Sequence, residues 1–222
     1  MPDVKLITTS DGSYTLLNTT LNETYHSIHG AIRESNHVFI KHGLDFFQQQ
    51  NHVSTINLLE VGFGTGLNAL LTMQFAHSHK ISIRYTAVEG FPVEEVVWSQ
   101  LNYAESSDSK IWFEKLHHAE WDKWNNISPE FQLRKLRSTL QKVALEKNYF
   151  DLIYFDAFAP SKQPEMWESE MLKKVVEAMK AKGVFVTYCA KGQLKRDLHS
   201  RQLRVESLPG PPGKREMVRA QK

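Results

Sequence analysis

Cysteine is almost missing: Cys189 is the only one among 222 residues. A single thiol excludes an internal disulfide framework and suits a reducing cytoplasm. No apolar run is long enough to cross a bilayer as a helix, which argues against a membrane partner. The start lacks the basic, apolar, small-residue pattern of a secretion signal. There is no internal repeat, low-complexity linker or sharp break in composition, so one fairly large domain is expected. Net charge is also small, formally +2. That balance hides a gradient. From Lys191 to Lys222 nine Lys/Arg stand against three Asp/Glu, a surplus of six, so the rest of the chain carries a net −4. A basic end on a mildly acidic body fits either a polyanionic partner or a solvated helix and loop.

What is present is ordinary for a globular protein: 41% hydrophobic and 23% charged residues. Residues 1–54 are turn-rich and read as an irregular extension packed on a main domain at 55–222. "SDGSYTLLN" alternates around an Asp-Gly turn and predicts a small hairpin. "GAIRESNHVFIKHGL" predicts a short helix ending at Gly43. From Thr55 strands and helices alternate. "TINLLEV", "ISIRYTAVEG", "YFDLIYFD" and "VFVTYC" read as strands. "LNALLTMQFAHSH" reads as a helix with Leu67, Leu70, Leu71 and Phe75 on one face. "PVEEVVWSQLNYA" reads as a helix opened by proline, and "PEMWESEMLKKVVEAMKAKG" as one closed by Gly183. In "PEFQLRKLRSTLQKVALEKN", Leu133, Leu136, Leu140, Val143 and Ala144 favour a helix, although Phe131 and Leu133 also alternate. The alternation predicts an α/β fold with a mostly parallel, Rossmann-like sheet covered on both faces.

Two constellations carry chemistry. In "LLEVGFGTGLN" a strand ends on Glu60, and Gly62, Phe63, Gly64, Thr65 and Gly66 lead into a helix. Glycines allow a sharp turn and close approach of a ligand, and the helix start offers free N–H groups. The spacing is G-x-G-x-G rather than the G-x-G-x-x-G that seats a pyrophosphate, and Glu60 would repel one. An acid there suits an ammonium or sulfonium, and S-adenosylmethionine has both. Glu89, in "AVEG" before Gly90, stands where such folds fix a ribose. The bland reading is a structural glycine turn.

The second is "DLIYFDAFAPSKQPEMW". A buried strand ends on Asp156, and Phe158, Pro160, Pro164 and Trp167 follow. In an open parallel sheet Gly62, Glu89 and Asp156 would face one cleft beyond the strand ends. Asp156 could bind an amine, orient its lone pair and help remove a proton. Phe158 and Trp167 could stack on a base or cover a cation. Alternatively Asp156 caps its loop and Phe158 is core. His26 with His29, and His117 with His118, lack the wider ligand set of a zinc site, so no metal is expected. Tyr25 and His26 either close over a cofactor or pack.

The order "LLEVGFGTGLN", "AVEGFP", "YFDAFAPSKQPEMW", "VTYCAKGQLKRDL" and "LPGPPGKREMVRA" resembles the bacterial methyltransferases that finish 5-methylaminomethyl-2-thiouridine in tRNA. The resemblance extends to "SDGSYTL" and "YHSIHGAIRESNHVFI". It implies a class I S-adenosylmethionine-dependent methyltransferase fold with an inserted region. It implies S-adenosylmethionine as donor and the aminomethyl nitrogen of the wobble uridine in tRNA as acceptor. In some bacteria this activity is fused to an FAD-dependent oxidase half. The length here implies the stand-alone form, with a separate oxidase acting upstream. Asp156 matches the acid beside the amine, and Gly62, Gly64, Gly66 and Glu89 match the cofactor contacts. Lys214, Arg215 and Glu216 of "GKREM" fall near the substrate side. The resemblance also implies strands, not a helix, around "FQLRKLRSTLQKVAL". Thr139 stands where such proteins carry an acid that contacts adenine, which weakens that contact. Two other classes stay open on residues alone: an NAD-linked oxidoreductase, and a non-catalytic RNA-binding module.

Overall fold

The computed structural model describes residues 3–222. β1 (Val4–Thr8), β2 (Tyr14–Asn18) and β3 (Glu23–Thr24) form a small antiparallel sheet. β1 and β2 pair from Val4 opposite Asn18 to Thr8 opposite Tyr14, which leaves Asp11-Gly12 in the turn as the sequence predicts. The Asp11 carboxylate then accepts the backbone N–H of Arg33 at 3.0 Å, in the first turn of α1 (Ala31–Ser35). The hairpin thus caps the helix that follows it.

That helix does not stop at Gly43. It runs on through a π-helical stretch, Asn36–Asp45, into α2 (Phe46–Gln50). Gly43 lies inside this rod. A Cβ there would sit 3.0 Å from Val186 Cγ2 and 3.2 Å from Tyr154 Cε1, so the glycine permits close helix-to-sheet approach and is not a cap.

The main body runs β4 (Thr55–Val61), α3 (Leu67–His79), β5 (Ser82–Val88), α4 (Glu95–Trp98), α5 (Ser107–His118), β6 (Trp124–Ser128) and β7 (Phe131–Leu136). It continues with β8 (Phe150–Phe155), a 3₁₀ turn Pro164–Trp167, α6 (Ser169–Ala178), β9 (Met179–Thr187), α7 (Gly192–Ser200), β10 (Arg204–Pro209) and β11 (Glu216–Gln221). β4, α3 and β8 fall where the sequence places them. Three expectations change. The helix from Pro92 shrinks to the single turn α4, with the proline before it. Gly183 is not a helix stop but lies within β9, at an irregularity where pairing jumps from Phe150–Met179 to Leu152–Val184. A Cβ there would meet Lys180 O at 2.8 Å, as a bulge requires. Residues 131–136 are a strand, as the resemblance implies and against the helical spacing, and 137–149 hold no regular element. Pairing with β5 on one side and β6 on the other fixes Phe131, Leu133 and Lys135 inward on a period of two. The sequence reading also passes over α5, whose start is marked by Ser106 Oγ accepting Ser109 N–H at 3.1 Å.

The large sheet has eight strands in the order β10-β11-β9-β8-β4-β5-β7-β6. β9, β8, β4, β5 and β7 are parallel, and the outer strands are antiparallel. One apolar core packs the 31–50 rod, α3 and α5 on one face, and the other packs α6 and α7 on the opposite face. From β4 the chain winds outward first through β5 and later through β8. The order therefore reverses between β4 and β8, and a cleft opens beyond their carboxyl ends.

Candidate active site

That cleft is a cavity of about 960 Å³, roofed by segment 18–29 of the extension. Its floor is the glycine loop. Gly62, Gly64 and Gly66 have φ of +92°, +50° and +75°. A Cβ on Gly62 would fall 2.8 Å from Asp156 O, and one on Gly66 would fall 2.9 Å from His117 Nε2. Positive φ and crowding together demand glycine, and they leave backbone, not side chains, facing the cavity. Thr65 is held from two sides. Its hydroxyl lies 2.7 Å from His26 Nε2, and its carbonyl accepts His117 Nε2–H at 3.1 Å. Burial lowers the His117 pKa to about 3 and that of His26 to about 4, so both rings are neutral in ordinary buffers.

Three carboxylates meet at the strand ends. Glu89 Oε2 accepts Gly64 N–H at 2.9 Å and Oε1 accepts Phe91 N–H at 2.7 Å. Burial raises its pKa against those two bonds. Asn68, in the first turn of α3, donates through Nδ2 to Glu60 Oε1 at 3.0 Å and to Asp156 Oδ2 at 2.9 Å. Two carboxylates on one nitrogen settle which end of the amide is the donor. Glu60 is fully buried, and burial raises its pKa well above the usual range. Asp156 is pushed up to about 7, mainly by burial and then by the Glu34 charge, with Asn68 and Lys214 opposing. A carboxyl poised near neutrality can take up and release a proton at working pH.

The loop after Asp156 is pinned at both of its next carbonyls. Tyr188 O–H donates to Ala157 O at 2.8 Å, and Trp167 Nε1–H to Phe158 O at 2.8 Å. Phe158 meets Tyr25 edge-on at 5.0 Å. Trp167 is therefore buried structure packed on Phe155 and does not line the cavity.

Of the sequence candidates, Gly62, Phe63, Gly64, Thr65, Glu89, Gly90, Thr139, Asp156, Phe158 and Lys214 all border this one cavity. Glu60, Gly66, Pro160, Arg215 and Glu216 do not. Glu60 stands behind Asn68, and Glu216 pairs with Lys195 at 2.6 Å. The basic end is likewise largely spent internally. Lys222 donates to the carbonyls of Val176 and Met179, Arg219 pairs with Glu206, and Arg201 donates to Ser169. Asn68, Glu34 and Tyr188 border the cavity and carry no warning in sequence beyond Asn68 following the glycine loop.

A glycine-backbone floor, a ribose-type acid and a titratable acid at the switch point of a doubly wound sheet define a group-transfer enzyme using a nucleoside cofactor. Residues 109–222, just over half of the chain, match the family described as S-adenosyl-L-methionine-dependent methyltransferase, and the chain belongs to that family. Its cofactor is accordingly S-adenosylmethionine. Over 96% of its length the chain is 27% identical to the tRNA 5-methylaminomethyl-2-thiouridine biosynthesis bifunctional protein MnmC of Burkholderia thailandensis. It is 28% identical over 92% of its length to the protein of the same name from Campylobacter hominis. It spans about a third of the length of those relatives, 34% and 31%. The crystal structure of MNMC2 from Aquifex aeolicus superposes with a TM-score of 0.80 at 24% identity, covering 99% of this chain and 70% of that one. That likeness establishes the class I methyltransferase fold.

The residues present fit the donor. The glycine floor gives it room. Glu89 keeps lone pairs beyond its two backbone bonds for ribose hydroxyls. Asn68 Oδ1, a buried acceptor without a partner among the described residues, suits an ammonium.

Proposed function

We propose that this protein methylates the 5-aminomethyl nitrogen of the wobble 2-thiouridine in tRNA, giving 5-methylaminomethyl-2-thiouridine. The observation that carries the reading is Asp156, half-buried at the end of β8 with a pKa near 7, on the wall of the cavity floored by the glycine loop. The names of the relatives in Burkholderia and Campylobacter supply the pathway. When bound, S-adenosylmethionine supplies a methyl group made electrophilic by its sulfonium.

The chain's own residues handle the acceptor. An alkylamine arrives mainly as ammonium near neutral pH. Asp156, ionised, holds one N–H and takes that proton, which frees the lone pair. Transfer would form the nitrogen–methyl bond as the sulfur–methyl bond breaks, leaving the donor as its thioether and the acceptor as a secondary ammonium. Phe158, pinned through its carbonyl, gives the uridine a flat wall, and Tyr25 braces it. We assign the adenine end to Thr139 and its neighbour Gln141. Thr139 packs so close to Gly90 that a Cβ there would lie 3.0 Å from its methyl. Lys214 serves the acceptor end. Glu60, Gly66, Pro160, Arg215 and Glu216 support the site from outside its lining.

We place the reaction in the cytoplasm, with a separate oxidase upstream that unmasks the aminomethyl group. The extension, described from residue 3 to 54, packs on the 55–222 methyltransferase domain, with Val38, Phe39 and Leu44 sharing a core with Ile56 and Leu58, and its segment 18–29 covers the cavity. The test is nucleoside analysis of tRNA from cells lacking this protein. Accumulated 5-aminomethyl-2-thiouridine supports the reading. An unchanged wobble nucleoside profile refutes it.

A further inference from the structure

Glu34 is a buried acid outside the cluster at the strand ends. It lies in α1, is 5% exposed, and borders the cavity from the roof side. Its Oε2 accepts Ser27 N–H at 2.7 Å. Its Oε1 is ion-paired with the ammonium of Lys214, 180 residues away, on the loop between β10 and β11. The same ammonium sits 3.7 Å from the centre of the Tyr188 ring. That ring is fixed, because its hydroxyl is committed to Ala157 O next to Asp156. Glu34, Asp156, Tyr188 and Lys214 all border the one cavity.

A buried carboxylate with one oxygen anchored on backbone, beside a fixed aromatic face, is the donor set that recognises a primary ammonium. In the free protein the ammonium there belongs to a lysine. The other acids at the strand ends are spoken for, Glu60 behind Asn68 and Glu89 on two backbone N–H groups. Lys214 hangs on a flexible stem and keeps 31% of its side chain exposed, so it can swing out, whereas Glu34 and Tyr188 cannot.

We infer that Glu34, Asp156 and the face of Tyr188 form a primary-ammonium subsite, which Lys214 fills until the acceptor amine takes its place. The exchange conserves charge: one ammonium leaves Glu34 as another arrives. The subsite makes the enzyme select an amine over a hydroxyl acceptor, because a neutral group cannot replace the lysine on Glu34. The inference rests on the proposed amine acceptor for its purpose, but not for its test.

The test titrates ethylammonium chloride, at constant ionic strength, into wild type, Lys214→Ala and the double variant Lys214→Ala with Glu34→Gln. Calorimetry and thermal shift are the readouts, with propanol as the neutral control. Lys214→Ala is expected to bind ethylammonium about tenfold more tightly than wild type, where the lysine competes. The double variant should lose that gain, and propanol should show none. Lys214→Met, which keeps an unbranched stem, is a second background and should follow Lys214→Ala. Equal affinity in all backgrounds, or no binding once Lys214 is removed, overturns the subsite. Neither tRNA nor methyl donor enters this experiment. A protein that binds ethylammonium as described yet methylates no tRNA would refute the acceptor and leave the subsite standing.

Discussion

Asp156 is held between opposing charges, and its titration is the residue-scale handle on the site. Burial raises its pKa most and Glu34 raises it further, while the Asn68 hydrogen bond and Lys214 lower it. As the proposed base it must be ionised, so kcat/KM should rise with pH through about 7. Glu34→Gln should move that limb to lower pH, and Asn68→Ala should move it higher. A pH–rate series on the three proteins checks both directions. The same carboxyl is also a stability liability. It titrates near 7 folded and near about 3.9 unfolded. Between those values the folded chain holds more protons than the unfolded one, so stability falls as pH rises, and the full cost stands above 7. Asp156→Asn should therefore raise stability at pH 8 by about 2 kcal/mol and change little at pH 4, as read by denaturant midpoints. It should abolish turnover while leaving the donor's affinity largely intact, and retained turnover would remove Asp156 from the chemistry. Asp156 is legible in sequence because a charge ending an apolar run is conspicuous. Glu34 and Asn68 are not, since their partners lie 180 and 88 residues away.

The glycine loop is the element on which the proposed cofactor site turns. At Gly62 a side chain meets two obstacles, a φ of +92° and the Asp156 carbonyl at 2.8 Å. Gly62→Ala should cost about 2 kcal/mol or more of stability and abolish calorimetric binding of S-adenosylmethionine. A variant that binds normally would show that the floor is not where the donor sits. The loop is legible because strand, glycines and helix are contiguous, and local chemistry fixes each boundary of β4 and α3. Gly43 and Gly183 misled for the opposite reason. A glycine after an apolar helix pattern reads as a stop. Only the fold shows Gly43 against Tyr154 and Val186, and Gly183 in a bulge. Residues 131–136 show the same limit. Their helical spacing is overridden by pairing with β5 and β6, which locally only the alternation of Phe131 and Leu133 hints at.

At the scale of the whole molecule, the reversal of strand order between β4 and β8 gathers residues from Asn18 to Lys214 around one cavity. A ligand that binds only the folded chain raises its melting temperature, so S-adenosylmethionine should do so and NAD should not. The basic end is less of a nucleic-acid footprint than its count implies, because Lys195, Lys214, Arg219 and Lys222 are bound within the fold. Under the proposed function, the affinity for tRNA should accordingly weaken with salt by a shallow slope, as binding measurements at several salt concentrations would show. The most direct measurement is in vitro transfer of a labelled methyl group from S-adenosylmethionine to tRNA carrying 5-aminomethyl-2-thiouridine, with nucleoside mass analysis of the product. The expected result is one added methyl on the wobble nucleoside with wild type and none with Asp156→Asn. No incorporation into correctly modified tRNA, or incorporation into a small free amine instead, would contradict the account.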